Sequence, residues 1–431
     1  MAALLLGAVA MFAYAVLSRR LGRTVVTAPI FFAGLGLLAG PVIGLVDLRP
    51  DESTVVALLE AALVMVLFTD ASSLDIRRWT REPSLSGRLL GIGLPLTMLA
   101  GAVAAKILVP GLDWWQAALV GVILAPTDAA LGQAVVADPR VPGVVRNALN
   151  VESGLNDGLA LPFVTILITV GLIASGEESE LHGVQTLVMA LAGSSILGLG
   201  LGLVGGRLAL AGLERRLADP RWLPIGLVAL AVATYAAANG AGMSGFLAVW
   251  VAGLSTGAVL RDHVDDGAFA LSEEAADVLA AIAFLVLGAG LIGPVLGRAT
   301  PATLVYAALS LTLVRLLPVA VSMLRTGFGP STVAYVGWFG PRGLASIVFA
   351  GMVVEAELPQ ASTITDVVLL TVAISIVAHG VTAAWGAGRY AAWFERAAEA
   401  DPTMPEAADL PATHRRPRGA RRSGAHATGE A

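Results

Sequence analysis

The chain has 431 residues, 56% of them hydrophobic and only 14% charged, where an average globular protein carries about 25% charge. Formal net charge is −5 and cysteine is absent. So little charge cannot cover a water-facing surface, which excludes an ordinary soluble enzyme, a nucleic-acid binder and a disordered chain; the missing cysteines exclude disulfides, iron–sulfur clusters and thiolate zinc sites. The composition predicts an all-α polytopic membrane protein.

Crossing the hydrocarbon takes about 20 apolar residues as a helix. Windows of that size predict about thirteen spans, near 2–18, 24–46, 54–70, 88–109, 116–137, 147–174, 185–211, 222–239, 244–260, 275–296, 301–324, 331–354 and 364–386. No basic residue precedes the first, and Arg19, Arg20 and Arg23 follow it. That order predicts a retained span with its N-terminus outside rather than a cleaved signal. Alternating the loops from there puts 22 of the 27 Lys and Arg inside, leaving Arg49, Lys106 and Arg298 outside and Arg315 and Arg342 within spans. A miscounted span would scramble that asymmetry downstream, so charge placement supports thirteen. From 397 onward the chain turns to Ala, Pro and Arg, which predicts a short disordered cytoplasmic tail whose arginines serve as positive-inside anchoring. Residues 1–396 then form one membrane domain.

Six charges fall well inside the spans, away from their ends: Glu60, Asp128, Glu152, Asp157, Arg315 and Arg342. Each costs about 2.5–3.5 kcal/mol to insert and normally faces a cavity, a partner or a transport path. In the fifth span, Pro126 lacks an amide hydrogen and obstructs the preceding turn, so a break is expected beside Thr127 and Asp128. Thr127 offers oxygens to a cation, and Asp128 suits the positive N-terminal end of a half-helix.

In the sixth span, Glu152, Ser153, Asn156 and Asp157 share one helical face. With the helix starting near 147, Asp157 lies about 15 Å deep, half the bilayer. Gly154 and Gly158 predict the close approach of another backbone. The twelfth span carries Gly337-Trp338-Phe339-Gly340-Pro341-Arg342-Gly343, which cannot run as smooth helix. Spans five and twelve run in opposite directions and occupy equivalent places if repeat 1 (about 1–175) and repeat 2 (about 222–390) are inverted six-helix repeats joined by a linker helix at about 185–211. Broken helices so placed, crossing at the midplane, are the sequence pointer to a secondary-transporter site. Arg342 is expected to offset half-helix C-termini. Either Arg315 or Arg342 is expected to pair with Glu152. Glu60, ahead of Asp70 and Asp75, is a weak candidate nearer an interface.

Two features are decoys. Gly200-Leu-Gly202-Leu-Val-Gly205 matches a dinucleotide fingerprint in letters, but it lies inside an apolar span with no preceding strand and predicts close helix packing. His379 is expected to be a hydrogen-bonded packing residue. With no hydrolase motif and no activated nucleophile, an enzyme is not expected, and no cofactor is implied.

Thr127-Asp128, the run Glu152-Ser153-Gly154-Leu155-Asn156-Asp157 and the downstream Gly340-Pro341-Arg342-Gly343 together resemble the NhaP-like sodium/proton antiporters, in the cation:proton antiporter-1 family of the monovalent cation:proton antiporter superfamily. The resemblance covers about residues 5–390. It implies thirteen helices in inverted repeats, a homodimer, and movement of a core domain against a dimerisation domain. It further implies that Asp157 binds Na⁺ and H⁺ in competition, that Thr127, Ser153 and Glu152 complete the oxygen shell, that Asn156 ties span six to span five, and that Arg342 holds Glu152. Asn156 ahead of Asp157 implies electroneutral one-for-one exchange at the cell membrane. One departure is visible: Ala129 follows the Thr-Asp pair where members commonly have Pro, and Pro126 precedes it, which shifts the expected break by about a turn. The expected activity is Na⁺/H⁺ exchange. K⁺/H⁺ exchange at the same site is the alternative, Li⁺ being a further candidate cation; a channel or electrogenic exchanger and an intramembrane hydrolase are the rivals from other classes.

Overall fold

The computed structural model describes residues 1–408 apart from 23, 47, 49–52, 75–84, 137 and 265. Within them the chain is helical, without strands, and falls into thirteen helical units. These are α1 (Ala2–Leu21), α2 (Ala28–Val42), α3 (Ser53–Ser72), α4 (Leu85–Leu108), the broken α5 (α5a, Trp114–Ile123; α5b, Ala129–Val136), and α6 (Gly143–Ser175). There follow α7 (Glu180–Glu214), α8 (Leu223–Gly240), α9 (Gly245–Leu260), α10 (Ala270–Arg298), α11 (Pro301–Ser322), the broken α12 (α12a, Pro330–Trp338; α12b, Leu344–Glu355) and α13 (Ala361–Ala400). The protein is a multi-pass membrane protein of two inverted six-helix repeats, with α7 between them. Asp75, Arg23, Arg49, Arg77, Arg78, Arg81 and the tail arginines Arg415, Arg416, Arg418, Arg421 and Arg422 lie outside the described residues.

The helices pack as two bundles, each taking three helices from each repeat. One holds α1–α3 and α8–α10, with α7 laid against α9; the other holds α4–α6 and α11–α13. Small residues let the first bundle close. A side chain at Gly36 or Gly40 of α2 would strike Leu285 O or Ala289 O of α10, and one at Gly288 of α10 would strike Ala33 O of α2. Without a hydrophobic drive inside lipid, such close backbone packing supplies much of the cohesion. The fingerprint-like run behaves as packing: Gly202 lies against Ala252 O and Ser255 of α9, and Gly205 against Leu230 of α8.

The bundles meet along a seam where α6 and α12b face α3 and α9. Here the expectation for Gly154 and Gly158 is corrected. Gly158 admits a side chain rather than a backbone, its Cβ position being filled by the indole of Trp250 on α9, while the Cβ position of Gly154 makes only ordinary contact with Asp70 of α3. The backbone approach occurs one helix away, where Gly253 and Gly257 of α9 lie against Phe68 O and Ser72 O of α3.

Several boundaries also differ from expectation, α7 and α10 each starting five residues early, and two have a local cause. α6 begins at Gly143, a turn earlier than expected, because Pro142 sits just before its first residue, where its fixed φ favours the entry. The last helix continues past the tail boundary expected at 397, since Arg389–Ala400 is made mostly of good helix formers and Tyr390 stacks on both Tyr335 and Trp393. Residues 401–408 then fold back against the bundle, while 409–431 lie outside the described residues.

Candidate functional site

The two breaks meet. α5a ends at Ile123, α5b starts at Ala129, α12a ends at Trp338 and α12b starts at Leu344, leaving two extended linkers at mid-membrane. Unwound backbone there must find partners within the protein. The linkers meet directly, Asp128 N–H donating to Pro341 O at 2.8 Å, and beside them Ser346 Oγ of α12b donates to Ile123 O at the end of α5a at 2.8 Å.

Four half-helix ends converge at this crossing, and two charged side chains answer their dipoles. Asp128 accepts from the N–H of Leu131 at 3.1 Å and from that of Leu344 at 2.8 Å, so one carboxylate caps the N-termini of both α5b and α12b. Arg342 is fully buried and donates through Nη1 to Ala125 O and to Pro126 O, the latter at 3.1 Å, at the carbonyl end of α5a. These contacts are the ones that dipole compensation by Asp128 and Arg342 calls for. Gly343 is required where it stands, because a Cβ would overlap the Asp128 carboxylate.

The α12 break is further tied to α13. Arg342 N–H donates to Ser375 Oγ at 2.8 Å, Ser375 Oγ lies 3.0 Å from His379 Nδ1, and His379 Nε2 lies 2.9 Å from Trp338 O. Nδ1 also lies 3.0 Å from the Ser375 carbonyl, so the imidazole bridges the backbone of α13 and the carbonyl at the end of α12a. His379 is thus the packing residue expected, with the specific task of spanning the break.

α6 delivers its face to this crossing. Glu152 is taken by Arg315 of α11 in a two-pronged pair, Nη1–Oε1 2.5 Å and Nη2–Oε2 2.8 Å. That settles the choice between the two arginines and corrects the role implied for Arg342. Arg342 is occupied by carbonyls of the α5 break, whereas α11 unwinds at Thr312 and brings Arg315 to the buried face of α6. Gly340 lines the approach, since a Cβ there would strike Arg315 Nε.

Ser153 O–H donates to Thr127 O at 3.0 Å, its Oγ lies 3.1 Å from Thr127 Oγ1, and Asn156 Nδ2 donates to Thr127 Oγ1 at 2.7 Å. Asn156 therefore does tie α6 to the broken helix. The oxygens left over are Asp157 Oδ1 and Asn156 Oδ1, both buried and without a hydrogen-bond partner among the described residues. Asp157 is 7% exposed. The charged groups that act on it most are Asp128 and Asp70.

Glu60 does not join the crossing; it is half-buried on α3, beside Tyr235 of α8 and Glu355 at the end of α12b. Conversely, Asp70, Trp250, Ser346 and Ser375 stand at or beside the site and were not singled out by sequence. Only Asp70 carried a signal, as a charge near the end of an apolar span. Trp250 and the two serines look in sequence like any other membrane residue.

The chain matches the family model described as sodium/hydrogen exchanger, transmembrane, over residues 7–387. Among curated proteins it is 28% identical over 406 residues to a K⁺/H⁺ antiporter NhaP of Alkalimonas amylolytica, a match covering 90% of this chain and 66% of that protein. It is 30% identical over 228 residues to a Na⁺/H⁺ antiporter NhaS2 of Synechocystis, covering 53% of this chain and 39% of the relative. The chain therefore spans less than two thirds of the length of these relatives. Among solved structures, the sodium proton antiporter MjNhaP1 of Methanocaldococcus jannaschii superposes with a TM-score of 0.72 at 21% identity, covering 90% of this chain and 97% of that one, which establishes a shared fold. With the family model matched over most of its length, the chain belongs to the sodium/hydrogen exchanger family.

Proposed function

We propose that the protein is a cation/proton antiporter, a transporter and not an enzyme, in which Asp157 is the shared site for a monovalent cation and a proton. The observation that carries this is the state of the charges at the crossing. Glu152 is neutralised by Arg315, Asp128 by two helix N-termini, and Arg342 by carbonyls, while Asp157 keeps a buried oxygen with no hydrogen-bond partner among the described residues. Beside it, Thr127 and Ser153 supply hydroxyl and carbonyl oxygens, the hard ligands that alkali cations take. A charged carboxylate at that depth is costly unless it holds a cation or a proton. One carboxylate that must carry one or the other, and that changes access between the two faces, exchanges them one for one.

In this reading Asp157, Thr127 and Ser153 hold Na⁺, with Glu152 at the edge of the shell. Asn156, Asp128, Arg342 and Arg315 keep the crossing in shape. We further infer a homodimer in the plasma membrane, surrounded by lipid, with the N-terminus outside and the C-terminus cytoplasmic; the inside excess of arginine supports the orientation. Na⁺ is the proposed substrate. K⁺ is the second reading, supported by the K⁺/H⁺ antiporter among the relatives.

The test is cation-driven proton movement in proteoliposomes with Na⁺, Li⁺ and K⁺ offered separately. Wild type is expected to exchange Na⁺ without net current, and Asp157→Asn to lose exchange while remaining folded. Retained exchange in Asp157→Asn would refute the assignment, and a net current would refute one-for-one stoichiometry.

A further inference from the structure

The segment after α13 ends in a buried carboxylate. Asp401 opens a turn: its carbonyl accepts from Met404 N–H at 3.3 Å and its carboxylate accepts from the Thr403 hydroxyl at 2.7 Å. Pro405–Ala407 then form a short 3₁₀ turn against α6 and α13. Pro405 lies over Gly327, whose φ of +85° makes the bend into α12a. Glu406 is 2% exposed. Its Oε1 accepts from Gly329 N–H at 2.9 Å and from Thr332 Oγ1 at 2.5 Å, and the Thr332 hydroxyl lies 2.9 Å from Tyr390 OH.

Gly329 is the N-cap of α12a and has no side chain with which to cap it. Glu406, 77 residues away in sequence, supplies that cap, and its negative charge suits the positive helix end. The far end of α12a is held to α13 by His379 on Trp338 O and by Trp338 Nε1 donating to Thr382 Oγ1 at 2.9 Å. The half-helix that leads into the break at Phe339–Gly343 is therefore pinned at both ends, once by α13 and once by the segment beyond it.

We propose that residues 401–408 form an intramolecular latch in which Glu406 is a positioning residue of the cation site, acting through α12a. A fixed α12a fixes the linker that places Arg342 on the Ala125 and Pro126 carbonyls, and these carbonyls immediately precede Thr127. Loss of the cap lets the crossing shift and spoils the oxygen arrangement at Thr127 and Ser153. The effect belongs to cation affinity, because none of the residues that close the seam is touched.

This rests on the antiporter reading, and the experiment separates the two. Wild type and Asp157→Asn establish whether there is exchange at all. On that background, exchange rates against cation concentration are measured for Glu406→Ala, Glu406→Gln and the chain ended after Ala400. The apparent KM for the cation is expected to rise about five-fold in Glu406→Ala and in the shortened chain, in line with the loss of a helix cap. In Glu406→Gln it stays within about two-fold of wild type, because the amide oxygen accepts from the same two donors. A KM unchanged in Glu406→Ala or in the shortened chain overturns the proposal, as does Glu406→Gln being as defective as Glu406→Ala. Should Glu406→Ala and the shortened chain fail to fold, Thr332→Val removes one of the two donors while keeping the carboxylate; a KM raised about two-fold there supports the latch, and an unchanged KM overturns it.

Discussion

Arg315 grips Glu152 with both terminal nitrogens, at 2.5 and 2.8 Å, and neither side chain is more than 2% exposed. A buried pair of this kind adds little over a well-packed apolar pair, but breaking it strands a charge. Glu152→Gln or Arg315→Gln is expected to cost about 3–5 kcal/mol of stability, and Arg315→Lys to be only partly tolerated because the ammonium cannot span both oxygens. The double replacement Glu152→Leu with Arg315→Met should recover much of the loss. Thermal unfolding of the detergent-purified variants measures this; a double variant less stable than both single ones contradicts it.

Asp128 serves two helices with one carboxylate, Oδ1 on Leu131 N–H and Oδ2 on Leu344 N–H. Asp128→Ala should lose both caps, roughly 1 kcal/mol each. Asp128→Asn keeps one acceptor and turns an amide N–H₂ toward the other donor, so it should fall between wild type and Asp128→Ala. The ranking of melting temperatures tests the arrangement.

Trp250 fills the space that Gly158 leaves, with its indole about where a Cβ would stand. Gly158→Ala forces the indole away or pushes α6 off α9, one residue from Asp157. Transport is expected to fall at least ten-fold from this single methyl, overpacking in a tight seam being poorly tolerated. Combining it with Trp250→Leu should restore part of the rate. Unchanged transport in Gly158→Ala would mean that the seam does not hold its packing during turnover.

The proposed competition at Asp157 sets the expected sign of the pH dependence. Each bound proton excludes one cation and the reverse, so acidification should raise the apparent KM for the cation by up to about ten-fold per pH unit while the maximal rate holds. Initial rates against cation concentration at several pH values check this. A falling maximal rate at constant KM would place the proton somewhere other than the cation site.

Much of the site could be read in the sequence because membranes make charge expensive. Asp157, Glu152, Arg315, Asp128 and Arg342 stand out against an apolar background, and Pro126 and Pro341 mark the two breaks. That Asp128 and Arg342 answer helix dipoles also follows from sequence, since a break at mid-depth must expose helix ends. The partner of Glu152 did not follow. Both arginines were deep enough, and only the unwinding of α11 at Thr312 decides which one reaches α6.

The seam and the tail were illegible for a different reason. Gly154 and Gly158 announce close approach but not what approaches; Trp250 sits on a helix whose sequence points nowhere in particular, and Asp70 is marked only as a charge near the end of its span. Glu406 lay in a segment whose composition suggests disorder, yet a single carboxylate meeting an uncapped helix end is enough to bring it back. Composition, charge placement and span periodicity by themselves pointed to a polytopic membrane protein of about thirteen helices in inverted repeats around two broken helices, because the bilayer penalises exposed backbone and unpaired charge. Which charge neutralises which, what lines the seam and where the chain folds back were decided only by the tertiary structure, because those contacts join residues from 70 to more than 200 positions apart and depend on helix rotations that no local pattern encodes.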